Sequence, residues 1–217
     1  MIENTTIEYE IVNNIGIIKG KNSPVNALSY SVRTGLIDSL EKLSENENVK
    51  GIILIGEGRT FFAGADISEF GKPMQKPDLN QVITAFEHSK KPIVAALHGT
   101  PLGGGLELAM GCNYRVALAS TLLGLPEVKL GIIPGAGGTQ RLPRLAGIEK
   151  ALSMITSGNP ITAKDALKFG IIEEIYADAL IANAINFIES KLNLDSHPIV
   201  SELNEKVTNT DIEIFDK

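Results

Sequence analysis

Tryptophan is absent from this chain of 217 residues, cysteine occurs once, and aromatic residues make up only 5%. With Cys112 alone, no intrachain disulfide can form. That fits a reducing compartment, and the cytoplasm is the expected location. No apolar run approaches the roughly 18 residues that a membrane-spanning helix needs. The opening MIENTTIEYE is acidic and lacks the apolar stretch of a secretory signal. The closing IFDK is not a peroxisomal SKL address. Basic residues are also in deficit, with 20 Lys and Arg against 26 Asp and Glu, a formal net charge of −6. A broad nucleic-acid footprint needs clustered cations, so no nucleic-acid partner is expected. An anionic small molecule, which a few placed donors can hold, stays open.

Several catalytic signatures are missing as well. There is no G-x-x-x-x-G-K-[ST] phosphate loop and no G-x-S-x-G elbow. PGAGGTQ at 134–140 is glycine-rich but lacks the third glycine of G-x-G-x-x-G, so a dinucleotide fold is not supported. His88, His98 and His197 show no metal-ligand spacing, and no metal site is expected. Cys112 sits among apolar neighbours and reads as a small core residue rather than a nucleophile. Chemistry based on Asp or Glu is what remains.

What is present suits one globular domain. Hydrophobic residues are 43% and charged residues 21%, ordinary values for a folded protein. A chain of this length can bury roughly 70% of its unfolded surface. Glycine, at 21 residues, is plentiful, so close backbone geometry matters somewhere. Residues 7–11 and 15–18 flank Asn13-Asn14 and read as a hairpin. Ser29 reads as a helix N-cap, followed by Val32, Leu36, Leu40 and Leu43 on one face. The apolar runs 49–55, 93–97 and 114–118 read as buried strands. Pro73 and Pro77 mark a flexible insert, and Leu79, Val82, Ile83 and Phe86 give a second helical face. Glycines 103–105 lead into a helix through LELAM. Recurrence of strand, loop, helix and strand argues α/β. The C-terminal third reads as mostly helical, with Ile181, Ile185, Ile188 and Leu192 on one face. The expected division is a domain over 1–192, then a polar tail or linker over 193–217 toward a further C-terminal part.

Three stretches carry the chemistry. Phe61-Phe62-Ala63-Gly64-Ala65-Asp66-Ile67 follows a predicted strand. His98 to Leu108 (HGTPLGGGLEL) places glycines before a helix, whose first N–H groups have no partner within the helix. Glu107 falls in that helix's first turn, where an acidic residue also has a purely structural explanation. Gly124 to Thr139 (GLPEVKLGIIPGAGGT) carries Glu127 after a proline, in a run dominated by apolar residues and glycine. A carboxyl there is expected to be partly desolvated, with a pKa raised toward neutrality. An exposed turn glutamate is the plainer alternative.

Taken together, FFAGADI, HGTPLGGGLELAM and LPEVKLGIIPGAGGTQRLPRLAG resemble the crotonase (enoyl-CoA hydratase/isomerase) superfamily, with NSPVNAL and ITAKDALKFGIIEEI also matching. The resemblance covers about residues 7–190. Its wording is most similar to the N-terminal hydratase/isomerase module of multifunctional fatty-acid β-oxidation enzymes. It implies an α/β fold: a crotonase-like ββα spiral with two roughly perpendicular sheets surrounded by helices. It implies an oxyanion hole from the backbone N–H groups of Ala65 and Gly104. It implies Glu107 and Glu127 as the catalytic carboxylates, adding water to a trans-2-enoyl-CoA. Gly135 would donate a backbone N–H near them. Backbone around Val25, Ala27 and Ala63 would hold the adenine end of coenzyme A. Asp66 and Ile67 lie beside the hole, with Asp66 a structural hydrogen-bonder rather than an acid. No cofactor is implied, because coenzyme A enters as part of the thioester substrate. A downstream 3-hydroxyacyl-CoA dehydrogenase part and a homo-oligomer are the implied partners.

Two departures stand out. Single-function hydratases run some 40 residues longer, and Ser68 replaces a lysine common after AGADI. The rival readings are a delta-3 to delta-2 enoyl-CoA isomerase, which needs only one carboxylate, and a coenzyme-A-binding module with little turnover.

Overall fold

The computed structural model describes residues 6–69 and 71–207. The chain opens with the expected hairpin. Strands β1 (Ile7–Val12) and β2 (Ile15–Gly20) pair antiparallel around Asn13, which takes the left-handed φ of 56° that a tight turn uses. Helix α1 (Tyr30–Glu45) starts at Ser29, whose side chain accepts from Val32 N, and buries Val32, Leu36, Leu40 and Leu43 as its spacing predicts. There follow β3 (Gly51–Gly56), α2 (Leu79–Glu87), β4 (Ile93–Leu97), α3 (Gly104–Met110) and β5 (Tyr114–Leu118).

The last third alternates short strands with helices: β6 (Leu122–Leu123), α4 (Gly138–Ala146), α5 (Ile148–Ser157), β7 (Ile161–Thr162), α6 (Ala163–Phe169), β8 (Glu174–Tyr176) and α7 (Leu180–Lys191). One sheet of six strands runs in the order β1-β2-β3-β4-β5-β8, parallel from β2 onward. A second ladder pairs β6 with β7. Among the described residues no helix is long and apolar enough to cross a membrane.

Strands β3 and β4 are buried along their whole length, which is why they read as unbroken apolar runs rather than alternating ones. Alternate residues serve two cores. Ile52 and Leu54 join α1, α2 and α3 on one side, while Ile53 and Ile55 face α7 on the other. Cys112 lies in the first core, with burial pushing its thiol pKa up to about 12.

Two sequence readings are corrected. On α7 the buried face is Leu180, Ala184, Phe187 and Ile188, and Ile181 is left outward. The helix is apolar on several sides, so spacing alone does not choose its face. Packing does, through Phe187 set edge-on to Tyr114. The segment 193–217, read as a polar tail or linker, packs onto the domain as far as Lys206. Val200 is buried, Asn113 Nδ2 donates to Pro198 O, and Lys206 Nζ donates to Leu145 O and Phe169 O.

Candidate active site

In a parallel sheet the loops after neighbouring strands lie side by side at the strands' C-terminal ends, where crevices form. Strands β3 and β4 are such neighbours, and their following loops carry the first two motifs. Hydrogen bonds tie these loops together: Phe61 N to His98 O at 3.0 Å and Thr100 N to Thr60 Oγ1 at 2.9 Å. Buried Asn26 braces the first loop. Its Nδ2 reaches the carbonyls of Glu57, Thr60 and Phe61 at 2.9, 2.9 and 3.2 Å.

The result is a close approach of two backbones. A methyl on Gly105 would meet Phe62 O at 1.8 Å, so only glycine lets α3 lie against the first motif. That contact brings Ala65 N beside Gly104: a methyl on Gly104 would sit 3.4 Å from it. Neither the Ala65 nor the Gly104 N–H has an acceptor among the described residues. Small residues thus leave two unpartnered donors next to each other, able to receive one carbonyl oxygen.

The third motif joins through Gly103 N, which donates to Gly124 O at 2.9 Å. Beyond this bond, a 3-10 turn over Pro126–Leu130 holds Glu127 against the glycines. A methyl on Gly103 would lie 2.9 Å from Glu127 Oε1. Glu127 Oε2 is buried with no hydrogen-bond partner among the described residues. Burial is the first cause that pushes its pKa up to about 7, and the nearby Glu107 charge adds to it.

Glu107 is only 2% exposed. Its Oε1 accepts from the backbone N–H of Ala136 and of Gly138, each at 2.8 Å. Burial raises its pKa, while these two donors and the Arg141 cation act the other way. Both hydrogen bonds fall on Oε1, so Oε2 is the oxygen left to meet a water.

One cavity of about 990 Å³ gathers these groups. Its lining includes Ala63, Ala65, Asp66, Ile67, Gly104, Glu107, Glu127 and Gly135. Val25 and Ala27 are not part of that lining. Val25 O accepts from Ala63 N, and Ala27 O accepts from Asn22 Nδ2 and Ser29 N. Asp66 Oδ1 accepts from Ser68 N at 2.9 Å. Gly135 offers its carbonyl to Asn80, and the donors on Glu107 are its successors Ala136 and Gly138. Sequence reasoning missed those two, because a backbone donor leaves no side-chain signature. It also missed Arg33. This buried arginine clamps the 66–78 insert through Glu69 Oε2, Pro77 O and Gln75 O at 2.8, 2.8 and 3.3 Å. The cavity mouth is apolar, with Ile67 and Ile133 each 70% exposed.

Fold and site together define an α/β protein with two carboxyl groups and two unpartnered backbone donors on one cavity. Comparison with known proteins gives the particular family. The enoyl-CoA hydratase/isomerase family model matches residues 10–214, and the chain belongs to that family. It is 43% identical over 195 residues to the peroxisomal bifunctional enzyme of Cavia porcellus, covering 88% of this chain and 27% of that one. It is 46% identical over 165 residues to a probable enoyl-CoA hydratase of Bacillus subtilis, covering 73% of this chain and 64% of that protein. Thus the chain spans about a quarter of the bifunctional relative. The crystal structure of an enoyl-CoA hydratase from Bacillus anthracis superposes with a TM-score of 0.79 at 34% identity, covering 86% of this chain and 76% of that one. The fold is the crotonase fold that the sequence motifs implied.

Proposed function

We propose that this chain adds water to trans-2-enoyl-CoA to give 3-hydroxyacyl-CoA, a step of fatty-acid β-oxidation. One observation carries the reading: Glu107 and Glu127 face the same cavity as the unpartnered N–H groups of Ala65 and Gly104. The thioester oxygen docks on those two donors, and a water sits between the carboxyl groups. Glu107 takes a proton from the water as its oxygen bonds to C3. The electron pair of the double bond moves toward C2 and the carbonyl, and the resulting enolate oxygen is held by Ala65 and Gly104 N–H. Glu127, protonated near neutrality, delivers its proton to C2. The proton held by Glu107 then passes to Glu127, directly or by exchange through solvent, which resets the pair. Two neighbouring carboxyls resist double ionisation, so one shared proton is the natural resting state.

These steps move protons and one water, and coenzyme A enters as part of the substrate. Support for the substrate class comes from the family and from the relatives' names, among them a glyoxysomal fatty acid beta-oxidation multifunctional protein of Brassica napus. The further proposals are a parent chain carrying a 3-hydroxyacyl-CoA dehydrogenase part, a cytoplasmic location and a homo-oligomer. The test is loss of the conjugated-thioester absorbance of crotonyl-CoA, beside calorimetric binding of a saturated acyl-CoA. Turnover with binding supports the reading. Binding without turnover favours the plain coenzyme-A-binding module, and absence of both turnover and binding would overturn the enzyme reading.

A further inference from the structure

Glu107 is held by the 136–138 loop, and that loop is itself held from behind. Arg141, one turn into α4, is 9% exposed. Its Nε and Nη2 grip the Glu87 carboxylate at 3.0 and 2.6 Å. Its Nη1 donates to Ala136 O at 3.4 Å, and a methyl on Gly137 would lie 2.1 Å from that nitrogen. The guanidinium therefore sits flush against the backbone that supplies both donors to Glu107. Glu87, on α2 and 4% exposed, also accepts from Ser201 N at 3.0 Å. Neither side chain lines the cavity, and the proposed reaction uses neither.

A buried ion pair is weak evidence for stability, because well-packed apolar residues of the same size serve as well or better. Its presence calls for a geometric or electrostatic reason. We propose that Arg141 and Glu87 are positioning residues: together they fix the Ala136 and Gly138 N–H groups on Glu107 and set the charge behind it. The inference rests on the reading of Glu107 as the base. Arg141 favours the ionised carboxylate against its burial, and Glu87 tempers that cation so that Glu107 remains basic enough to take a proton. The charged groups facing Glu107 are Arg141 from α4 and Glu127 from the 3-10 turn. Cys112, after α3, feels Glu87 but titrates only at about 12.

The test uses the full chain as Glu87→Gln, Arg141→Lys and Arg141→Met, with steady-state kinetics and a carbon-13 NMR titration of the Glu107 carboxyl. Glu87→Gln keeps the shape and removes the anion. Glu107 should then titrate at lower pH, and the acidic limb of kcat/KM should move the same way. Arg141→Met should move both upward. Arg141→Lys keeps charge without the fork, and should lose about tenfold in kcat with KM within about twofold, the signature of lost transition-state geometry. If Arg141→Met does not fold, Glu87→Gln decides by itself. An unmoved Glu107 titration in Glu87→Gln would overturn the inference. So would an activity loss in Arg141→Lys that matches only its loss of folded protein. If the wild-type chain failed to hydrate crotonyl-CoA while Glu107 still shifted, the clamp would stand and the reaction reading would fall.

Discussion

Substitution of Gly104 by alanine tests the oxyanion hole where a scan of existing side chains has nothing to remove. The new methyl would lie 2.7 Å from Leu79 Cδ2 and 3.4 Å from the Ala65 nitrogen. The first contact is with the end of a side chain that can turn aside, a displacement costing roughly 1–2 kcal/mol. Gly104 is the first residue of α3 and has no positive φ, so alanine there returns up to about 1 kcal/mol by restricting the unfolded chain. The two nearly cancel, so the melting temperature should change by less than about 4 °C. The second contact is different. The methyl, on the carbon bonded to Gly104 N, stands 3.4 Å from Ala65 N and is expected to crowd an oxygen approaching the two donors. Loss of one such donor costs about 3–4 kcal/mol of barrier. We expect kcat on crotonyl-CoA to fall roughly a hundred- to a thousandfold, with the circular dichroism spectrum unchanged. A variant that folds like the wild type and turns over within threefold of it would refute the placement of the hole.

Two further outcomes follow from the same geometry. In the proposed reaction Glu127 carries a proton to C2, and burial pushes its pKa up to about 7, so kcat/KM should decline as pH rises through that value; it should decline again in acid once Glu107, itself raised, takes up a proton. A pH–rate profile that keeps climbing above neutrality would contradict Glu127 as the donor. Gly105→Ala places a methyl 1.8 Å from Phe62 O, a backbone atom that cannot turn away. It should cost about 3 kcal/mol or more. Scanning calorimetry should therefore show a fall of roughly 6–12 °C, in contrast to Gly104→Ala.

Strand and helix placement was legible wherever burial imposes a pattern. The runs at 93–97 and 114–118 coincide with β4 and β5: β4 is apolar throughout because it is covered on both faces, and β5 admits Arg115 with its guanidinium bonded to Ile171 O, Cys112 O and Glu173. The helix after Ser29 announces itself by its cap and by one apolar face. Motif wording, rather than periodicity, singled out Glu107 and Glu127, since each alone has an ordinary structural explanation.

What stayed hidden depends on backbone atoms or on distant parts of the chain. Ala136 and Gly138 act through N–H groups, which any residue but proline carries. Asn26 and Arg33 reach carbonyls 31 to 44 positions away, so no local pattern marks them. The docking of 198–206 turns on one buried valine and a few hydrogen bonds within a polar stretch. On α7, the sequence offers more than one apolar stripe, and the aromatic contact with Tyr114 chooses between them.

The joint action of the two carboxyl groups is best examined with Glu107→Gln and Glu127→Gln, each assayed for crotonyl-CoA hydration in parallel with its affinity for a saturated acyl-CoA. Each change keeps side-chain size and removes the ability to exchange a proton, so each should lower kcat by about a hundredfold or more. Affinity should remain near that of the wild-type chain. Hydration at close to the wild-type rate in either folded variant would contradict a reaction run by this pair.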